Sequence, residues 1–168
     1  MLESAPRLSG HTEPGGKPMC PSTTAAERCL DLKGLAIDAL ETTLLVAHGR
    51  SAPSEVEWQQ LMAAWASHPE MTTQLVFTLG GGPNVVQRRQ SLEVLNARPG
   101  GSPKTAVMTD SLVVRGMVTA LSWFATNRVA AFGPGALDDA FNFLGIFEEV
   151  RRDQLAKRLA VLRRLVGG

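Results

Sequence analysis

Apolar and polar positions alternate between short runs and helical spacings along most of this chain, and the two rhythms lay out an order of elements. Leu35-Ala-Ile37 and Thr43-Leu-Leu-Val-Ala47 are brief apolar runs separated by Asp38 to Thr42, a pattern that predicts two paired strands. Ser54 and Glu57 then stand at capping-box spacing, and Trp58, Leu61, Met62 and Trp65 follow at i, i+3, i+4 and i+7. An amphipathic helix is expected there, stopping at His68-Pro69. Gln74 to Leu79 is a continuous apolar run, as in a strand covered on both faces, and Val85 to about Ala97 reads as helix.

The same alternation repeats twice more. Thr105-Ala-Val-Met108 predicts a strand, and Asp110 or Ser111 can cap a helix whose apolar face takes in Val113, Met117, Ala120, Leu121 and Phe124. Arg128-Val-Ala-Ala-Phe132 predicts a further strand. After Gly133-Pro-Gly135 comes a short helix with Leu137, Ala140, Phe141 and Leu144 on one side, ended by Gly145 in a left-handed conformation. A longer amphipathic helix over Phe147 to Val166 aligns Val150, Leu155, Leu159, Leu162 and Val166. Strand and helix in strict alternation from Gln74 to Leu144 imply crossover connections and parallel strands. The expected architecture is α/β: a mixed, mostly parallel four- to five-stranded sheet with flanking helices and a C-terminal amphipathic helix.

At 168 residues the chain has the length of one domain. Residues 1–24 are rich in Pro, Gly, Ser and Thr and read as a flexible tail, 25–146 as the α/β domain and 147–168 as the terminal helix. Hydrophobic residues make up 44% and charged residues 20%, with a formal net charge of +1, which argues against disorder and against nucleic acid as a partner. Cys20 and Cys29 have no metal-ligand spacing, so no cofactor, zinc site or disulfide framework is expected. The first twenty residues contain no continuous apolar core, and the uncharged stretch from Gly116 to Asn127 is shorter than the roughly 20 apolar residues that span a bilayer. A cytoplasmic location without a transmembrane segment is the expectation.

The stretch FTLGGGPNVVQRRQ, Phe77 to Gln90, runs from a strand into glycines and then into a helix. Such a turn offers free backbone N–H groups and the positive end of a helix dipole. Yet no Lys-Ser or Lys-Thr follows the glycines, and Val85 stands where a third glycine of GxGxxG belongs, so both nucleotide fingerprints fail. Anion cradle and plain tight turn both remain open. In an open parallel sheet the strand C-termini share one edge, which would gather Gly80, Gly81, Gly82 and Asn84 with Thr109, Asp110 and Ser111, and with Gly133 to Gly135. Asp110 and Ser111 can form a polar site there or simply cap a helix.

Catalysis finds little support. His11, His48 and His68 all suit structural or solvent roles, and no GxSxG elbow is present. Trp58, Trp65, Trp123 and Phe124 can line an apolar pocket, although aromatics at helical spacing are usually core. The last helix has a basic excess toward its C-terminus, in keeping with its dipole; it can pack on its own domain, pair with another chain or lie on an anionic membrane.

The stretch TAVMTDSLVVRGMVTALSWFATNRVAAFGPGALDDAFNFL, Thr105 to Leu144, resembles the C-terminal half of SpoIIAA-like proteins of the STAS group, which are also grouped with the CRAL-TRIO lipid-binding fold. The residues carrying it are Thr109-Asp110 at a strand end, Arg115 early in the next helix, Phe132 ending a strand, and the closing LDDAFNFL helix. The order of elements extends it over Leu35 to Gly145. The resemblance implies a non-catalytic, bacterial-type regulatory module that binds a protein partner such as a kinase or regulator. In anti-anti-sigma proteins of this group a serine in the turn after the central strand is phosphorylated. The matching turn here, Gly80 to Asn84, has no Ser or Thr, and Thr78 lies inside the strand. Two other functions are expected from the same residues: a carrier of a lipid or other small apolar ligand, or an accessory subunit that self-assembles into a homo-oligomer through the last helix.

Overall fold

The computed structural model describes the chain at residues 30–31, 34–124 and 128–167, with side chains at 34–120 and 128–167. The expected tail over 1–24, with His11, Cys20 and Cys29, and the side chains of Leu121, Trp123 and Phe124, lie outside the described residues. Strands β1 (Leu30–Asp31), β2 (Leu35–Leu40), β3 (Thr43–His48), β4 (Thr73–Thr78), β5 (Lys104–Thr109) and β6 (Val129–Phe132) form one sheet in sequence order. β1, β2 and β3 pair antiparallel, while β3 to β6 pair parallel. The mixed, mostly parallel α/β architecture read from the sequence is the one observed, with the two-residue β1 added at the edge.

The β2–β3 hairpin turns through Glu41 and Thr42, with Glu41 at φ 51°. Helices α1 (Glu55–Ser67), α2 (Val85–Ala97) and α3 (Leu112–Phe124) alternate with the parallel strands, and α4 (Leu137–Leu144) and α5 (Glu149–Gly167) close the chain. α1 starts as expected: Ser54 Oγ accepts from the Glu57 N–H, and Glu57 Oε2 accepts from the Ser54 N–H at 2.6 Å. α2 repeats the device with Asn84 and Gln87. Gly145 ends α4 with φ 80°.

Side chains alternate across the pleat, so the sheet has two different faces. On one, Leu45, Ala47, Leu75, Phe77, Ala106 and Met108 pack against Phe141 and Leu144 of α4 and against α5. Here Leu155, Leu159, Leu162 and Val166 are all buried, so the apolar stripe of the last helix is part of the domain's own core. Those four residues are therefore not free to serve as an assembly surface. Val150, expected in the same stripe, is 73% exposed. It stands five residues before Leu155, a spacing that turns it away from the buried side. Arg158 fastens the helix to the sheet by bonding both carboxylate oxygens of Asp38, at 3.1 and 3.0 Å.

On the opposite face Leu35, Ile37, Leu44 and Val46 pack against Trp58, Leu61, Met62 and Trp65, the four positions spaced along α1 in the sequence. α2 and α3 cover their share less completely. Gln87 is the one buried residue of α2, and its Nε2 donates to Pro53 O at 2.8 Å. In α3 the apolar phase differs from the expected one: Val113 and Met117 are exposed at 72% and 50%, Ala120 is also exposed, and Val118 is buried instead. Arg115, Thr119 and Ser122 form a polar stripe at helical spacing and set the expected phase, yet the fold leaves the apolar face of Val113 and Met117 uncovered and turns Val118 inward, so tertiary placement overrides the local pattern.

Candidate functional site at the strand ends

Register pairs His48 with Thr78, Thr78 with Thr109, and Met108 with Phe132. The turns after β4, β5 and β6 therefore share one edge, the one at which α1, α2 and α3 begin. Gly80, Gly81, Gly82 and Asn84 stand beside Thr109, Asp110 and Ser111 along it, as the topology predicted.

Local hydrogen bonds explain most of the polar groups there. Thr78 Oγ1 accepts from the Gly80 N–H at 3.0 Å and donates to Gly81 O, so this 4%-exposed hydroxyl holds the glycine turn in shape. Gly80 has φ 109°, a conformation that favours glycine. Gly81 is needed for a different reason: its N–H donates to Gly49 O at 3.0 Å, and a Cβ built there would meet Gly49 O at 2.5 Å and Ser51 O closer still. The turn is thus welded to the loop between β3 and α1. Gly82 faces open space.

The next turn follows the same logic. Thr109 Oγ1 accepts from the Ser111 N–H at 3.1 Å, and Ser111 Oγ accepts from the Val114 N–H at 3.3 Å, which makes Ser111 the cap of α3. Asp110 is exposed. Around these caps the first turns of the two helices present Val85 at 73%, Val86 at 62%, Leu112 at 76% and Val113 at 72% exposure. Sequence reasoning placed Val113 on the buried side and gave the other three no role. Their signal was positional: large aliphatic residues directly after a cap, in the turn that points past the sheet edge.

Two ionisable groups lie close by. Burial pushes the His48 imidazole down to about 4, with the nearby Glu57 carboxylate opposing the shift, so the ring is neutral at neutral pH. For Glu57 burial acts to raise the pKa, but hydrogen bonds from the Gly34, Ser54 and Leu35 N–H groups and from Ser54 Oγ outweigh it and hold the carboxyl below its usual range. The Gly34 bond is 2.8 Å long and ties α1 to the start of β2. His68, at the end of α1, is exposed and bonds Glu70 at 2.8 Å through Nδ1. Groups of His, Cys, Asp and Glu suited to a metal ion do not occur among the described residues, and none of the described helices is long and apolar enough to cross a membrane.

Trp58 and Trp65, expected in a core or a pocket, are buried and take part in both: they pack under the sheet and also line a cleft of about 410 Å³ between β3–β6 and the helices α1 to α3. Compared with known proteins, the chain matches no family model, no curated protein and no solved structure.

Proposed function

We propose that the protein is a non-catalytic regulatory module of STAS type that binds a protein partner through the edge at which α2 and α3 begin. The observation that carries this reading is the group of exposed aliphatic side chains Val85, Val86, Leu112 and Val113 in the first turns of neighbouring helices. Water-exposed Val and Leu of this size, in the first turns of helices that begin at one edge of the sheet, favour association with a complementary apolar surface. The hydroxyls of Thr78, Thr109 and Ser111 at this edge are committed to caps and turns, which supports a docking role over a chemical one. The STAS resemblance fits this reading through its partner-binding turn, here without a phosphorylatable hydroxyl.

The test uses full-length protein bearing Val86→Asp or Leu112→Asp, with Val161→Asp on exposed α5 surface as the control. Crosslinking and affinity capture should recover a defined partner with the parent protein and the control, and lose it with the two edge variants. Equal recovery by all four proteins would refute the assignment.

A further inference from the structure

β4 is an inner strand of the sheet, yet its two faces are covered unequally. Leu75 and Phe77, toward α4 and α5, are buried, whereas Gln74 and Val76, which line the cleft under α2, are only half-buried. The cause lies in α2. Arg88, Ser91 and Leu95, at i, i+3 and i+7, form the side of that helix that meets the cleft, and only the last is a large apolar residue. Apolar surface on an inner strand is thereby left for something other than the fold to cover.

The cleft runs the length of this gap. Thr78, Val76 and Gln74 follow one another along β4 over about 13 Å, and Arg88 to Leu95 spans about 10 Å of α2. Its mouth is formed by Gly80 to Pro83 and Arg88, so it opens onto the docking edge. Farther in the wall is apolar, with Leu61, Met62 and Trp65 of α1, Val107 of β5 and Val118 of α3. Gln74 at the inner end is already engaged, accepting from Thr105 Oγ1 at 3.3 Å. The volume of about 410 Å³ is in the lower part of the range for small-molecule sites.

Charge gives the cleft a direction. Arg88 is the one charged group on its described wall at neutral pH, since burial keeps His48 neutral. Its Nη1 donates to Pro83 O at 3.3 Å, and no carboxylate among the described residues pairs with it. Glu57, which acts on His48, is held by backbone N–H groups and does not line the cleft. His48 Nδ1 and Trp58 Nε1, which have no hydrogen-bond partner among the described residues, are sealed from solvent, so a molecule in the cleft does not meet them. A guanidinium at the mouth of an apolar slot suits a ligand with a negative head and an apolar tail. The head keeps part of its hydration at the mouth and gains a charge-assisted bond, while the tail displaces water from Val76.

We propose that this cleft binds a small amphipathic acid, of the size and shape of a medium-chain fatty acid, with its carboxylate at Arg88 and its chain along Val76, Leu61 and Trp65.

Isothermal titration calorimetry on the full chain at pH 7.5, with octanoate and n-octanol as probes, tests the site. Octanoate should saturate at one per chain and bind about tenfold more tightly than n-octanol. Arg88→Gln should weaken octanoate about tenfold and leave n-octanol within about twofold of the parent, because only the head loses a partner. Ser91→Trp, which fills the cleft from α2, should abolish binding of both, and Arg89→Gln, at a residue paired with Glu93, should change neither. Denaturation curves identify any variant that fails to fold. The proposal is overturned if octanoate shows no saturable binding, if n-octanol binds as tightly, or if folded Arg88→Gln or Ser91→Trp protein binds octanoate like the parent. None of these measurements involves the protein partner, and Val86 and Leu112, whose variants test docking, lie outside the cleft wall, so either reading can fail without the other.

Discussion

The Arg98 guanidinium lies 4.5 Å over the Trp65 ring and, through Nη2, donates to the carbonyls of His68, Pro69 and Met71 at 2.9, 3.2 and 2.8 Å. A residue just past the end of α2 thus caps the chain leaving α1, under cover at 7% exposure. A planar cation suits this place, because one face stacks on the indole while the edge serves several carbonyls.

Arg98→Ala should destabilise the protein by about 3 kcal/mol, since it removes the stack and orphans buried carbonyls at once. Arg98→Lys keeps the charge but not the fork, and should recover less than half of that loss. Urea denaturation of the two variants beside the parent measures both; a Lys variant as stable as the parent would show that charge alone suffices.

Gly81→Ala and Gly82→Ala should separate sharply. The first forces a methyl onto the backbone of Gly49 and Ser51 and should cost about 2 kcal/mol or more, while the second enters open space and should change stability by less than about 1 kcal/mol. The difference also bears on choosing probes of the edge: any side chain at position 81 alters the turn itself, so lost binding there would not identify a contact residue. Thermal melts of the two variants decide it.

Stability should fall as the pH drops below about 6.5. The His48 pKa in the folded protein is about 4, against 6.5 in the unfolded chain, so between those values the unfolded state binds the proton and the folded state does not. The full effect of this shift is about 3 kcal/mol. Glu57, held below its usual range, adds a loss that begins only under its unfolded pKa of 4.5 and completes below its folded one. Replacing His48 by Gln should flatten the stability curve between pH 6.5 and 4.5 while leaving the steeper acid limb. Chemical denaturation across pH 4.5 to 8 reads the slope, and an unchanged slope in the variant would remove His48 from the account.

On α5, Leu159→Ala should cost about 3 kcal/mol, as expected for a buried leucine in a packed core, and Val161→Ala should cost less than about 0.5. Paired with sedimentation, the same two proteins test self-assembly: disruption of a dimer by the Val161 change, without loss of stability, would make the outer side of the helix an interface.

Where local pattern alone decides an element, the sequence is a good guide. α1 was legible because a capping box precedes a clean i, i+3, i+4, i+7 series, and the strands because short apolar runs are bounded by turn residues. α3 was legible as a helix but not in its orientation, since Arg115, Thr119 and Ser122 mark one polar side while the fold leaves the apolar side of Val113 and Met117 exposed as well. β1 is two residues long and carries too little pattern to be seen. The tie of Glu57 to Gly34, the peg of Gln87 on Pro53 and the stack of Arg98 on Trp65 join residues distant in sequence, and no spacing rule reports them. The strand-end edge followed from topology. The unpaired His48 and Trp58 atoms did not, because satisfaction of a polar group is a property of the assembled fold.

The unequal dressing of the two sheet faces has a consequence for how such a protein can diversify. With α4 and α5 anchoring one side through a dry, interlocked layer, substitutions along α2 and α3 meet few neighbours and carry small energetic penalties. Descendants of this chain could therefore retune what those two helices recognise while inheriting the same chassis unchanged.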